Sequence, residues 1–201
     1  MTRGTLEGPR AHGAHVLRVH AGSTADADDG AALEVVAVRI LMVVGSRHGA
    51  THEIGEVVAE VLGEAGHDVV ELDPDDFPGV AGFDAMVLGS AIYYGRWVPA
   101  VRELVERHAG SLAAVPLWVF WSGPLGSKGV PRGSVEGMDE LLERLRPRGF
   151  REFDGRIDRG ELGMRERAVV SLVGADYGDY RDFDDVRAWA REIVAELARA
   201  G

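Results

Sequence analysis

Hydrophobic and polar positions settle into two alternating rhythms after about residue 34. Arg39-Ile-Leu-Met-Val-Val44 is a short apolar run ending in Gly45-Ser46, and it reads as a strand buried on both faces. Ile54, Val57, Val58, Val61 and Leu62 then recur at helical spacing, forming one apolar face of a helix that stops near Gly66. Further strands are expected over residues 67–72, 84–89, 116–121 and 150–157. Helices are expected over 98–109, 138–145 and 184–200, the last with Val186, Ala190, Ile193, Val194 and Leu197 on one face. An extra helical stretch at 162–173 carries Leu162, Val169, Val170 and Val173, suited to covering the sheet or to meeting a partner or a membrane surface. Strands alternating with helices of this length mean βαβ units, hence one doubly wound α/β domain with helices on both faces of a parallel sheet. The domain is expected over 35–201, preceded by a disordered leader at 1–34 where neither rhythm is sustained.

Composition narrows the function classes. The 201 residues suit one such domain, with 46% hydrophobic and 27% charged residues. A net charge of −11 argues against a nucleic-acid partner, which would need Lys and Arg to neutralise phosphates. The chain has no cysteine, which excludes disulfides, thiolate zinc sites, iron–sulfur ligation by Cys and thiol catalysis. Residues 1–34 hold no signal-type apolar run, and no run of about 18 apolar residues occurs elsewhere. A cytoplasmic location with at most peripheral membrane contact is the expectation, and homodimerisation stays open. Lys128 is the single lysine among 22 basic residues, a skew that reads as genome composition.

Ligands of a doubly wound sheet bind outside the carboxyl ends of its strands. After the first strand comes Ser46-Arg47-His48-Gly49-Ala50-Thr51, leading directly into a helix. Small and hydroxylated residues at a helix N-terminus offer free N–H groups, side-chain donors and the positive end of the dipole, which suits a phosphate. Thr51 as a plain N-cap and Gly49 as a plain turn residue are the simpler reading. No Gly-Lys-Ser/Thr ending and no Gly-x-Gly-x-x-Gly is present, which removes the nucleoside-triphosphate and dinucleotide loops. A strand ending Val44-Gly45-Ser46 lacks the acidic residues of a response regulator, and no Gly-x-Ser-x-Gly elbow occurs.

After the third strand comes Ser90-Ala91-Ile92-Tyr93-Tyr94-Gly95-Arg96-Trp97, whose adjacent aromatics offer a flat apolar surface for a ring system. Tyr93, Tyr94 and Trp97 as mere covers of the core remain the alternative. After the fourth comes Trp121-Ser122-Gly123-Pro124-Leu125-Gly126, a third loop of small residues. His48 and His52, spaced i, i+4 beside Glu53, have a zinc-like spacing, but His48 precedes the helix and no third ligand is evident, so no metal is expected.

At these loops the sequence resembles the flavodoxin-like superfamily, and more specifically its menaquinone-dependent protoporphyrinogen oxidase branch, over about residues 39–197. The resemblance rests on Ser46-Arg-His-Gly-Ala-Thr51 followed by Glu53-Ile54, and on Gly89-Ser-Ala-Ile-Tyr-Tyr-Gly95 with the helix up to Arg107-His108. It rests also on Asp179-Tyr-Arg-Asp-Phe-Asp-Asp-Val186 leading to Ala190-Arg-Glu-Ile193. It implies a five-stranded parallel sheet of order 2-1-3-4-5 and FMN as cofactor. Ser46, His48, Gly49, Ala50 and Thr51 would hold its phosphate, with Arg47 adding charge. Residues Ser90, Ala91, Ile92, Tyr93, Tyr94 and Gly95, with Ser122, Gly123, Pro124 and Leu125, would hold the flavin ring.

Two departures from the family pattern stand out. His48 and Ala50 stand where the family has Thr or Asn, which implies one or two phosphate hydrogen bonds lost or replaced, and residues 127–148 are short where the branch carries a long basic insertion. The implied function is an FMN-dependent oxidoreductase, of protoporphyrinogen or quinone type on the resemblance, with a quinone or protein redox partner. A non-enzymatic flavodoxin electron carrier and a flavin-free interaction domain are the alternatives. No acid–base residue is assigned, and no paired carboxylates are expected near the ring.

Overall fold

Every second residue of β1 (Arg39–Gly45) faces the same side, and both sides are covered. Ile40, Met42 and Val44 pack under α1 (Ala50–Glu64) and α5 (Phe183–Ala200), while Leu41 and Val43 pack under α2 (Pro99–Leu112) and α3 (Met138–Leu145). This is the computed structural model of the chain, and it describes residues 37–123, 135–174 and 176–200. The expected leader therefore lies outside the described residues, as do Pro124 and Leu125.

Around β1 the other strands add in parallel: β2 (Asp68–Leu72) on one side, then β3 (Ala85–Tyr93), β5 (Leu117–Gly123) and β6 (Gly149–Asp154) on the other. Counted along the chain, these five strands take the expected order 2-1-3-4-5. Register brings Gly45 opposite Ser90, Ala91 opposite Ser122 and Gly123 opposite Asp154. The carboxyl ends of these four strands thus lie at one edge of the sheet, staggered by a few residues, beside the point where strand order reverses.

Two aromatic contacts fix the layer under α1 and α5. Trp189 meets Phe120 and Phe153 edge-on at centroid distances of 5.8 and 5.7 Å. The ring of Phe120 lies so close to the backbone of Gly89 that a Cβ there would approach it to 2.3 Å, which is why β3 carries glycine at its centre. Among the described residues no helix is long and apolar enough to cross a membrane.

Two elements differ from the sequence expectation, and both differences shape the crevice. The third strand does not end at Gly89: β3 runs on to Tyr93, and β4 (Arg96–Trp97) folds back against it. Tyr94 and Gly95 form the two-residue turn with φ of 52° and 74°, the left-handed geometry that matches strand twist in tight hairpins. Ser90, expected to open a loop, is therefore inside a strand. The single strand expected over 150–157 is two, β6 and β7 (Arg156–Ile157), with β7 pairing antiparallel to β8 (Gly178–Asp179) in a separate ribbon. Gly155 is the pivot. A Cβ on it would stand 2.8 Å from the Gly123 carbonyl oxygen, so only glycine lets the chain turn off the sheet so close to β5.

Candidate functional site

Gly49 adopts a left-handed φ of 77° and is itself the N-cap of α1, so Thr51 is a residue of the first helical turn and no cap. The first bond of the helix runs from the Glu53 N–H to the Gly49 carbonyl. The N–H groups of Ala50, Thr51 and His52 have no backbone partner among the described residues and converge at the positive end of the helix. The Thr51 side chain is buried and shares a 2.8 Å hydrogen bond with the Ser122 hydroxyl, joining the start of α1 to the end of β5 across the crevice floor.

A cavity of about 230 Å³ opens there. From the first loop it is lined by Ser46, His48, Ala50 and Thr51, from the β3–β4 hairpin by Ala91, Ile92, Tyr93, Tyr94 and Gly95, and from β5 by Ser122 and Gly123. Eleven of the residues singled out from sequence thus meet in one place. Ser90, Arg47 and Gly49 are not on its wall. The Ser90 hydroxyl accepts the Val98 N–H at 3.2 Å and donates to the Ala91 carbonyl at 3.0 Å, so it ties β3 to the start of α2. The Arg47 guanidinium lies 5.2 Å over the Tyr93 ring, and His48 meets the same ring edge-on at 5.8 Å. Burial raises the Tyr93 phenol above its ordinary value, against the opposing pull of N–H groups at Arg47 and His48.

The rest of the wall was not read from the sequence. It comes from Val135, from Glu152, from residues 155–158, and from the segment running through Glu161 and Leu162 into α4 (Met164–Val173). Leu162, Val169 and Val170 make an apolar roof, so the extra helical stretch covers the crevice and not the sheet. The sequence gives no reason to expect paired carboxylates near the ring, and four separate acidic residues, Glu152, Asp158, Glu161 and Glu166, line the cavity. Glu152 reaches the cavity from the end of β6, and Asp158, Glu161 and Glu166 reach it beyond the turn at Gly155, so no spacing announced them.

Glu166 accepts the Gly163 N–H at 2.8 Å and faces His48 Nε2 at 3.4 Å, with Arg47 4.0 Å away. The Gly163 N–H, then His48, hold its carboxyl below the usual range, so it is ionised at neutral pH. His52 instead faces Asp73 at 3.5 Å, and the two histidines do not share a partner. Beside the first loop, Arg156 and Arg181 both grip Glu53, and Arg181, with only 4% of its side chain exposed, also pairs with Asp179. Asp179 first, then Glu53, raise the Arg181 guanidinium further above its already high value.

The model of the flavodoxin domain matches residues 41–184. Protoporphyrinogen IX dehydrogenase [quinone] of Escherichia coli (strain K12) is 32% identical over 173 residues, spanning 78% of this chain and 95% of that protein. A flavodoxin of Pseudomonas aeruginosa, solved as a cysteine-to-serine mutant, superposes with a TM-score of 0.54 at 18% identity, covering 79% of this chain and 98% of that one. A rubredoxin oxygen:oxidoreductase of Desulfovibrio gigas gives 0.55 at 14% identity, but this chain spans only 36% of its length. The chain belongs to the flavodoxin domain family.

Proposed function

We propose that the chain is an FMN-dependent oxidoreductase whose flavin lies in the cavity at the carboxyl ends of β1, β3 and β5. The observation that carries this reading is the convergence of the α1 N-terminus, two small-residue strand ends and a tyrosine hairpin on one cavity. The donor set suits the cofactor. The N–H groups of Ala50, Thr51 and His52, without a backbone partner among the described residues, and the Ser46 hydroxyl of the same loop fit a phosphate dianion. Arg47, at the loop itself, brings a positive charge beside the replaced positions His48 and Ala50. Tyr93 and Tyr94 fit a flat ring, and Gly95 lets the backbone come close to it.

Bound there, FMN would supply hydride or electron exchange through its ring, and the protein's part is placement and exclusion. The Thr51–Ser122 hydrogen bond fixes the floor. Leu162, Val169 and Val170 keep water from one side, while the exposed Tyr94 marks the open side where a reactant arrives. A protoporphyrinogen or quinone-type reactant is supported by the Escherichia coli relative, of which this chain spans 95%. The net charge of −11 favours a second reading, an electron carrier that docks to a basic partner by charge.

The first test is a visible absorbance spectrum of the purified chain with identification of the flavin released on heating. About one FMN per chain is expected, and a colourless protein that takes up no added FMN would refute the proposal. Oxidation of protoporphyrinogen with menaquinone present then separates enzyme from carrier, because a carrier turns nothing over without a partner reductase.

A further inference from the structure

Two arginines distant in sequence from the first loop converge on it, Arg156 from the cavity wall and Arg181 from a buried position. Arg156 enters from β7 and Arg181 from just before α5, and each takes one oxygen of Glu53 in the first turns of α1, at 3.0 and 2.8 Å. Each also reaches a carbonyl of the turn. Arg181 donates to the Ala50 carbonyl at 3.2 Å, and Arg156 makes a longer contact of 3.5 Å to that of His48.

In a trans peptide the carbonyl and the following N–H point in opposite directions. Holding the His48 and Ala50 carbonyls toward the guanidinium groups therefore directs the Gly49 and Thr51 N–H groups away from them. Charge alone does not account for the arrangement. Arg156 also pairs with Glu161 and Arg181 with Asp179, so two guanidinium groups face three carboxylates and the cluster is not a net cation. Its product is orientation.

We propose that Arg156 and Arg181 are positioning residues for the phosphate of the flavin mononucleotide, acting through Glu53 and the carbonyls of the 48–51 turn. This rests on the FMN reading above. The planar fork matters more than the charge, because one guanidinium must meet a carboxylate and a carbonyl together. Lysine brings the charge without that geometry.

The test titrates the full chain, cleared of any flavin, with FMN and separately with riboflavin, which lacks the phosphate. Arg156→Lys, Arg181→Lys and Glu53→Gln are compared with wild type by calorimetry. The Kd for FMN should rise about tenfold or more in each variant, while that for riboflavin stays within about twofold. The ³¹P resonance of bound FMN should shift in the same variants. Equal weakening of both ligands, or FMN affinity and resonance both unchanged, overturns the proposal. A wild-type chain that binds neither flavin instead removes the FMN reading itself, and this proposal with it. Should Arg181→Lys fail to fold, Arg156→Lys carries the comparison, since its side chain is already partly exposed at 21%.

Discussion

Floor and roof of the cavity are held in unlike ways. The floor hangs from β1, β3 and β5, whose residues are buried on both faces between two helical layers. The roof is a two-stranded ribbon and a ten-residue helix with Met164 and Leu172 both 86% exposed, fastened by Arg156, Glu161, Glu166 and their partners. Apolar burial stabilises the first region and charged contacts locate the second. Partly exposed ion pairs are each worth about 0–1 kcal/mol, against about 3–5 kcal/mol for a large buried side chain. The floor should therefore persist as a rigid platform, while the roof opens at little cost and admits what the floor binds.

The largest effect belongs to the floor's support. Trp189→Ala should destabilise the fold by about 3–5 kcal/mol, whereas Val169→Ala on the roof should cost about 1 kcal/mol or less. Denaturant unfolding measures both, and comparable losses would erase the distinction. The joint between the regions comes next. Gly155→Ala pushes a methyl against the Gly123 carbonyl and should cost about 1–3 kcal/mol, with faster proteolysis confined to residues beyond 155. An unaltered digestion pattern would show that the ribbon turns without needing glycine. Thr51→Val strands the buried Ser122 hydroxyl, for about 1–3 kcal/mol at the floor. A loss below measurement would mean that Ser122 finds another partner.

The smallest effect separates the regions by pH. Burial holds the His67 imidazole below its ordinary 6.5, and its Nδ1 accepts the Val38 N–H at the base of the sheet. The unfolded chain then binds that proton more readily, so global stability should fall as pH drops through and below about 6.5. Glu166 carries the opposite kind of group, a carboxyl held low by the Gly163 N–H. Its contribution is complete above its ordinary 4.5 and is lost as pH falls through the lower value it has in the fold. His67→Gln should flatten the first dependence in unfolding curves. Glu166→Gln should flatten the second only in amide exchange of α4. One transition common to both probes would argue against two separately held regions.

The floor was legible because short continuous apolar runs marked the strands, and their ends carried Ser46, Tyr93 and Ser122 within a few residues of the last apolar position. Position alone does not assign every residue at those ends to its task. Ser90 looks like a site residue by position, yet its hydroxyl is occupied by the Val98 N–H, a pairing that depends on β3 running past Gly89. The roof was hidden for a different reason. Phe150, Phe153 and Ile157 read as one strand, because sequence shows no trace of the backbone contact between Gly155 and Gly123. The apolar face of Leu162, Val169 and Val170 was visible, but where it lands depends on the β7–β8 pairing and on Glu166 reaching His48. Gly155, Gly160, Gly163 and Gly174 were the available hint that this stretch is broken into short pieces.

Burial of the four tryptophans has an optical consequence. Trp118 and Trp189 lie in the layer under α1 and α5, Trp97 and Trp121 in the layer under α2 and α3, each at most 4% exposed. The Trp118 indole N–H donates to Glu196 at 3.0 Å, whereas those of Trp97 and Trp121 have no hydrogen-bond partner among the described residues. Intrinsic fluorescence of the folded chain should thus be blue-shifted and heterogeneous, its two components reporting on the two sides of the sheet. Ser122 on the cavity wall is the strand neighbour of Trp121, so a flavin entering the crevice should dim the tryptophan emission, which a titration followed at that emission would check.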